Sequence, residues 1–175
     1  MLAIMEAFAA INAFLNQGGN VLIFIAILTF AMWTLIFERL WYFKGGLKSD
    51  RQAALDVWAS RSERKSWNAK KIRDALISRM SEKIDTNTAM IATMVSLCPL
   101  LGLLGTVTGM IEVFNVLALT GGGDVKQMAG GVSRATIPTM AGMVAALSGL
   151  FANTYIERIA SREKRLFADH LTMDH

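Results

Sequence analysis

The sequence predicts an all-α integral membrane protein: three transmembrane helices, the second and third long and extending into the cytoplasm, and an N-terminal interfacial helix. Three observations carry that expectation. The 175-residue chain is 53% apolar and only 18% charged, with a mean hydropathy of +0.39, a balance outside the range of ordinary soluble domains. Residues 21–37, 89–111 and 135–156 carry no charge over 17, 23 and 22 positions, close to the ~20 residues a helix needs to cross a ~30 Å hydrocarbon core. Finally, Lys and Arg number none in residues 1–38, twelve in 39–83, two in 126–134 and four in 158–165. The positive-inside rule then puts the N-terminus outside and the basic cluster and C-terminus in the cytoplasm.

Taken in order, residues 1–18 are apolar but have Glu6 where a signal peptide has its basic start, so they read as a periplasmic interfacial helix over about 3–15, ended by Gln17, Gly18 and Gly19. The first span is 19–44. Its end, ERLWYFKGGLK over 38–48, mixes aromatic rings and cations as at a headgroup boundary. Residues 45–86 form a cytoplasmic helical loop. Gly45 and Gly46 stop the first helix, Ser49 or Asp50 caps a short one through Ala59, and Leu55, Val57 and Trp58 are its apolar positions. Ala69, Ile72, Leu76, Met80 and Ile84 then recur at helical spacing. Neither Gly nor Pro interrupts the passage into the second span at 87–119, so one helix is expected from about residue 69 to about 119, kinked at Pro99. A periplasmic loop follows at 120–128 around Asp124. The third span is 129–157, and its helix continues into a cytoplasmic tail at 158–175.

Composition also excludes several classes. Cys98 is the lone cysteine and the two histidines, His170 and His175, lie in the tail, so neither a disulfide, a metal site nor a cofactor is expected. No nucleophile stands beside a base, which argues against an enzyme. The net charge of +4 is accounted for by topology beside an anionic lipid bilayer, with no nucleic acid partner needed.

The informative stretch is residues 99–114, PLLGLLGTVTGMIEVF. Glycine sacrifices helix propensity, so Gly102, Gly105 and Gly109 within eight residues suit a helix whose backbone is closely approached by another. Counting 1.5 Å per residue from the middle of each span puts Thr106 and Thr139 at about the same depth. Gly142, Ala146 and Gly149 continue the face of Thr139. Both threonines therefore line one narrow seam, unless each only bonds its own carbonyl one turn back. No Asp, Glu, His or Lys lies within about 12 Å of either midpoint, so any proton relay would need an acid supplied by a partner. Glu112 and Arg134 share a depth at the outer ends and are expected to pair, within a subunit or across neighbours, because either charge alone is costly there.

The 99–114 stretch resembles the second-span signature of the ExbB, TolQ and MotA proton-channel family, with ExbB and TolQ the closer branch. TMAGMVAALS over 139–148 is similar to the family's third-span pattern Thr-Ala-x-Gly-Leu-x-x-Ala-Ile-Pro at Thr139, Gly142 and Ala146. The resemblance implies a homo-oligomer, a pentamer, enclosing the membrane helices of an ExbD-like partner whose aspartate takes the proton. Thr106 and Thr139 are then pore-facing hydroxyls beside it. It further implies an inner-membrane complex that couples proton-motive force to a TonB-like protein driving outer-membrane uptake, for example of iron-siderophores. A TolQ-like or MotA-like stator subunit and a non-conducting scaffold are the alternatives. The chain departs from the pattern at Arg134, where the family usually has glutamate, at Leu147 and Ser148 in place of Ile-Pro, at Pro138, and in a short cytoplasmic loop.

Overall fold

A computed structural model describes the backbone of residues 2–61, 63, 66–121 and 125–171, and the side chains of these residues except 2–4, 7, 8, 10, 13–18, 120, 125 and 127. The described residues form helices and no strands: α1 (Leu2–Lys44), α2 (Gly46–Ala59), α3 (Trp67–Asp85), α4 (Thr88–Thr120) and α5 (Val125–His170). The stretches Gly19–Lys44, Trp67–Leu119 and Met128–His170 are long and apolar enough to cross a membrane. Within α1 the ladder breaks at Gly19, whose φ of 67° and ψ of −169° lie in a region that glycine enters without steric cost. Asp124, His175 and most side chains of the expected interfacial helix fall outside the described residues.

The chain divides into two compact units. One comprises Met1–Met32 and Thr93–Leu150. Its core is narrow: Leu22, Ile25, Met32, Val95, Cys98, Ala135 and Ala145 are buried. Large apolar side chains such as Phe30, Leu100, Phe114 and Met140 point outward, each at least 59% exposed. An exterior this apolar is what a helix in hydrocarbon presents.

The other unit comprises Trp33–Ala92 and Phe151–His175. Leu47, Trp58, Ala69, Met80, Ile84, Ala160, Phe167 and Leu171 form its core. The stripe read from Ala69 to Ile84 is therefore the buried face of α3, with Ile72 and Leu76 half-buried at its edge. Val57, by contrast, is 54% exposed.

Two local expectations are corrected here. The helix expected from 69 to 119 is two helices, α3 and α4, separated at Thr86 and Asn87. Asn87 takes φ 63°, a left-handed conformation that asparagine tolerates better than other non-glycine residues. Its Nδ2 donates to Glu38 Oε2 at 2.9 Å, while its carbonyl accepts from the Ile91 amide and so starts α4. Secondly, Ser49 and Asp50 do not cap α2. The helix begins at Gly46, with Gly45 at the N-cap position and no side-chain cap. Residues 38–48 also include a cation buried within the chain. Arg39 is 3% exposed because its guanidinium lies 5.1 Å over the Tyr42 ring and donates to the Lys83 carbonyl at 3.1 Å, in the last turn of α3 where a cation opposes the helix dipole. Ser66, unnoticed in the sequence, caps α3 by accepting from the Ala69 amide at 3.2 Å.

Asp50 instead joins elements. The Tyr42 hydroxyl donates to its Oδ2 at 2.8 Å, and Lys83 Nζ stands 3.1 Å from its Oδ1. The Tyr42 hydrogen bond, and after it that from Lys83, holds the carboxyl below its ordinary value of 3.8. A depressed carboxylate stabilises the fold above its unfolded pKa, and that contribution disappears as pH falls through the folded one. Asp50→Asn is therefore expected to lower the unfolding temperature at pH 7 and to converge with the wild type as pH falls through the lowered folded-state pKa. Thermal melts in detergent from pH 7 downward measure this, and a constant difference across the range would refute it.

Candidate functional site

The site lies in the first unit, where α4 meets α5 across glycines. A Cβ on Gly109 would stand 2.7 Å from Ala135 Cβ. On Gly102 it would stand 2.9 Å from Thr139 Cα and 3.0 Å from the Pro138 carbonyl oxygen. On Gly105 it would run into the Pro138 ring, and on Gly142 into the Cys98 carbonyl oxygen. Gly149 faces Met32 Sδ and Val95 Cγ2, and Gly131 faces Val113. In turn, Gly109, Gly105 and Gly102 on α4 thus meet Ala135, Pro138 and Thr139 on α5, an antiparallel seam in which main chain nearly touches main chain. Ala146 is half-buried and is not one of these closest contacts.

That approach brings the two threonines together. Thr106 Oγ1 and Thr139 Oγ1 share a hydrogen bond, and Thr139 Oγ1 also donates to the Gly102 carbonyl at 2.9 Å. Thr106 Oγ1 lies 3.4 Å from that same carbonyl. Thr139 therefore reaches across the seam to the other helix. Thr108 shows the alternative behaviour: its hydroxyl donates to the Leu104 and Gly105 carbonyls of its own helix at 3.0 and 3.1 Å. Without a side chain on Gly102 the carbonyl of that residue is open to Thr139, so the glycine and the hydroxyl pair are one feature.

The chemistry of the pair follows from its protons. Each hydroxyl has one to donate. With that of Thr139 on the Gly102 oxygen, that of Thr106 goes to Thr139 or to the same carbonyl. Both protons are then held inside the seam, and the half-buried pair offers a neighbour only acceptor lone pairs. Such a site pairs with a protonated carboxylic acid or a water and gives nothing to a carboxylate.

Glu112 and Arg134 are both exposed. Among the described residues the ion pairs within two residues in sequence are Arg39–Glu38 and Arg73–Asp74, and the longer-range ones join Arg51 to Glu163, Lys83 to Asp50 and Lys164 to Asp85. The Glu112–Arg134 pair is not made within the chain. Pro138, Ala135 and Gly131 were missed by a reading that followed the face only from Thr139 onward. Their spacing of three and four residues, continued backward from Gly142, carries the signal.

Residues 41–169 match the family model for the MotA/TolQ/ExbB proton channel family. The chain belongs to the MotA/TolQ/ExbB proton channel family. The matched span contains Thr106, Thr139 and the whole glycine seam. The chain is 42% identical over 82 residues to a biopolymer transport protein named ExbB-like 1 from Synechocystis sp., covering 45% of this chain and 32% of that relative. It is 31% identical over 85 residues to the biopolymer transport protein ExbB of Xanthomonas campestris pv. campestris, covering 49% and 34%. With the Tol-Pal system protein TolQ of Pseudomonas aeruginosa it shares 32% over 96 residues, covering 55% and 40%. These alignments span about a third to two fifths of the relatives' own length.

Proposed function

We propose that this member of the family is an ExbB-type proton-channel subunit of the bacterial inner membrane. In this reading it is a homopentamer with periplasmic N-terminus and cytoplasmic C-terminus, surrounding the membrane helices of an ExbD-like partner and coupling proton-motive force through a TonB-like protein to outer-membrane uptake. The carrying observation is the Thr106–Thr139 pair in spans that hold no Asp or Glu within about 12 Å of their midpoints. The partner's aspartate supplies the titratable group that hydrocarbon crossing requires. Acceptor lone pairs beside it favour its protonated form, and the chain's part is to receive the loaded acid in a pocket that cannot donate back. Glu112 and Arg134, exposed and unpaired within one chain, pair between neighbouring copies in this reading.

A TolQ-type role is the second reading, favoured by the alignment to TolQ, whose coverage of this chain is the largest of the three compared. The test is co-expression with an ExbD-like subunit, followed by native mass spectrometry to count subunits and proton-flux measurement in liposomes. Five copies with enclosed partner chains and flux only when the partner is present are expected. Flux from this chain alone, or failure to retain a partner of either ExbD or TolR type, would overturn the reading.

A further inference from the structure

The second unit exposes a charged face that the channel reading leaves unused. On α5, Glu163 and Lys164 are engaged within the chain, by Arg51 at 3.5 Å and by Asp85 respectively. Arg158, Arg162 and Arg165 are exposed, and among the described residues none of them makes an ion pair or hydrogen bond. Their spacing of four and three residues sets them in one line along the helix. They border an open depression with Thr154, Glu157 and Ser161, where the short Ser161 side chain sits among longer ones.

The same line continues toward the N-terminal end through Tyr155 and Phe151, which are 59% and 74% exposed. Phe151, Tyr155, Arg158, Arg162 and Arg165 thus form a graded stripe: apolar ring, phenol, then three guanidinium groups. It spans about 21 Å at 1.5 Å per residue, about half the ~40–45 Å thickness of a whole bilayer.

We infer that this stripe binds one anionic phospholipid, its phosphate held by Arg158, Arg162 and Arg165 with the Ser161 hydroxyl, and its chain lying along Tyr155 and Phe151. Guanidinium forks match phosphate oxygens in pairs. An acidic polypeptide would account for the arginines alone. A molecule with an anionic head and an apolar tail matches both ends of the gradient. Glu157 is the one acid at the rim, and its Oε1 accepts from Asn153 Nδ2 at 2.8 Å. A headgroup with net negative charge, such as phosphatidylglycerol, is favoured over phosphatidylethanolamine, whose ammonium would face the arginines. The inference rests on α5 crossing a membrane and is independent of proton conduction.

The experiment titrates the purified protein in mixed micelles with phosphatidylglycerol, with phosphatidylethanolamine, or with inorganic phosphate, reading thermal stabilisation and lipid retained in native mass spectra. Wild type is expected to retain phosphatidylglycerol, and R158Q/R162Q/R165Q to bind it about tenfold more weakly, a change of ~1.4 kcal/mol. K48Q/K70Q/K71Q removes the same charge from exposed positions elsewhere and should bind as wild type does. Should the triple arginine variant not fold, R162Q and R162K are read the same way, the lysine variant keeping charge and losing the fork. Equal losses in both triple variants, equal stabilisation by inorganic phosphate, or loss of a copurifying protein with lipid retention unchanged would each overturn the site.

Discussion

Gly142→Ala is expected to destabilise the protein by about 1–3 kcal/mol, the range for overpacking a close-packed interior. The added methyl would meet the Cys98 carbonyl oxygen and stand 3.2 Å from Gly102 Cα. Both are main chain, so no rotamer change relieves the clash and α4 and α5 must separate. Separation also draws Thr139 off the Gly102 carbonyl. Two further glycines calibrate the effect. A Cβ on Gly149 would stand 2.5 and 2.8 Å from Met32 Sδ and Cε, the far end of a flexible side chain, so Gly149→Ala should cost less. Nothing lies within 4 Å of a Cβ on Gly130, and there alanine should be neutral or stabilising by up to about 1 kcal/mol through helix propensity. Thermal unfolding in detergent should rank the variants in that order. Equal effects at Gly142 and Gly130 would refute close main-chain contact as the reason for the seam.

Thr106→Val and Thr139→Val should leave the protein folded and assembled but reduce proton-driven function about tenfold or more, equivalent to ~1.4 kcal/mol on the barrier. Valine replaces a hydroxyl by a methyl of similar size, so packing persists while the acceptor lone pairs vanish. The stability cost is small, about 0.6 kcal/mol for a hydrogen bond between membrane helices. Serine at either position keeps the hydroxyl and should restore most activity. Proton flux measures function, with growth dependent on outer-membrane uptake as a second readout under the proposed role, and native mass spectrometry measures assembly. Full function in both valine variants would assign the chain to scaffolding. Loss of assembly in either would make the pair structural.

The seam was legible in the sequence because its signal is local: small residues and threonines repeat every three or four positions on two spans, and a count of helical rise puts them at one depth. What the count could not supply was direction. Thr108 is as polar as Thr106 and two residues away, yet it bonds its own helix, because only Thr106 stands opposite Thr139. The break at Asn87 was illegible for a different reason. Gly and Pro announce a helix end through their own backbone preferences. Asn87 has a weaker preference of that kind, and here its side chain is held by a tertiary partner, the Glu38 carboxylate, 49 residues earlier. Asp50 misled in the same way. Its type suits a cap, but Tyr42 and Lys83 claim its oxygens.

The contact between Gly142 and the Cys98 carbonyl has a genetic corollary. A clash between two side chains can be relieved by shortening either one, so a defect at Gly149 has a second-site remedy at Met32. A main-chain oxygen is carried by every residue type alike, and no codon change at position 98 removes it. Suppressors of Gly142→Ala must therefore arise away from the contact or restore glycine. Lineages that keep this seam should hold position 142 fixed, with no compensating change written opposite it.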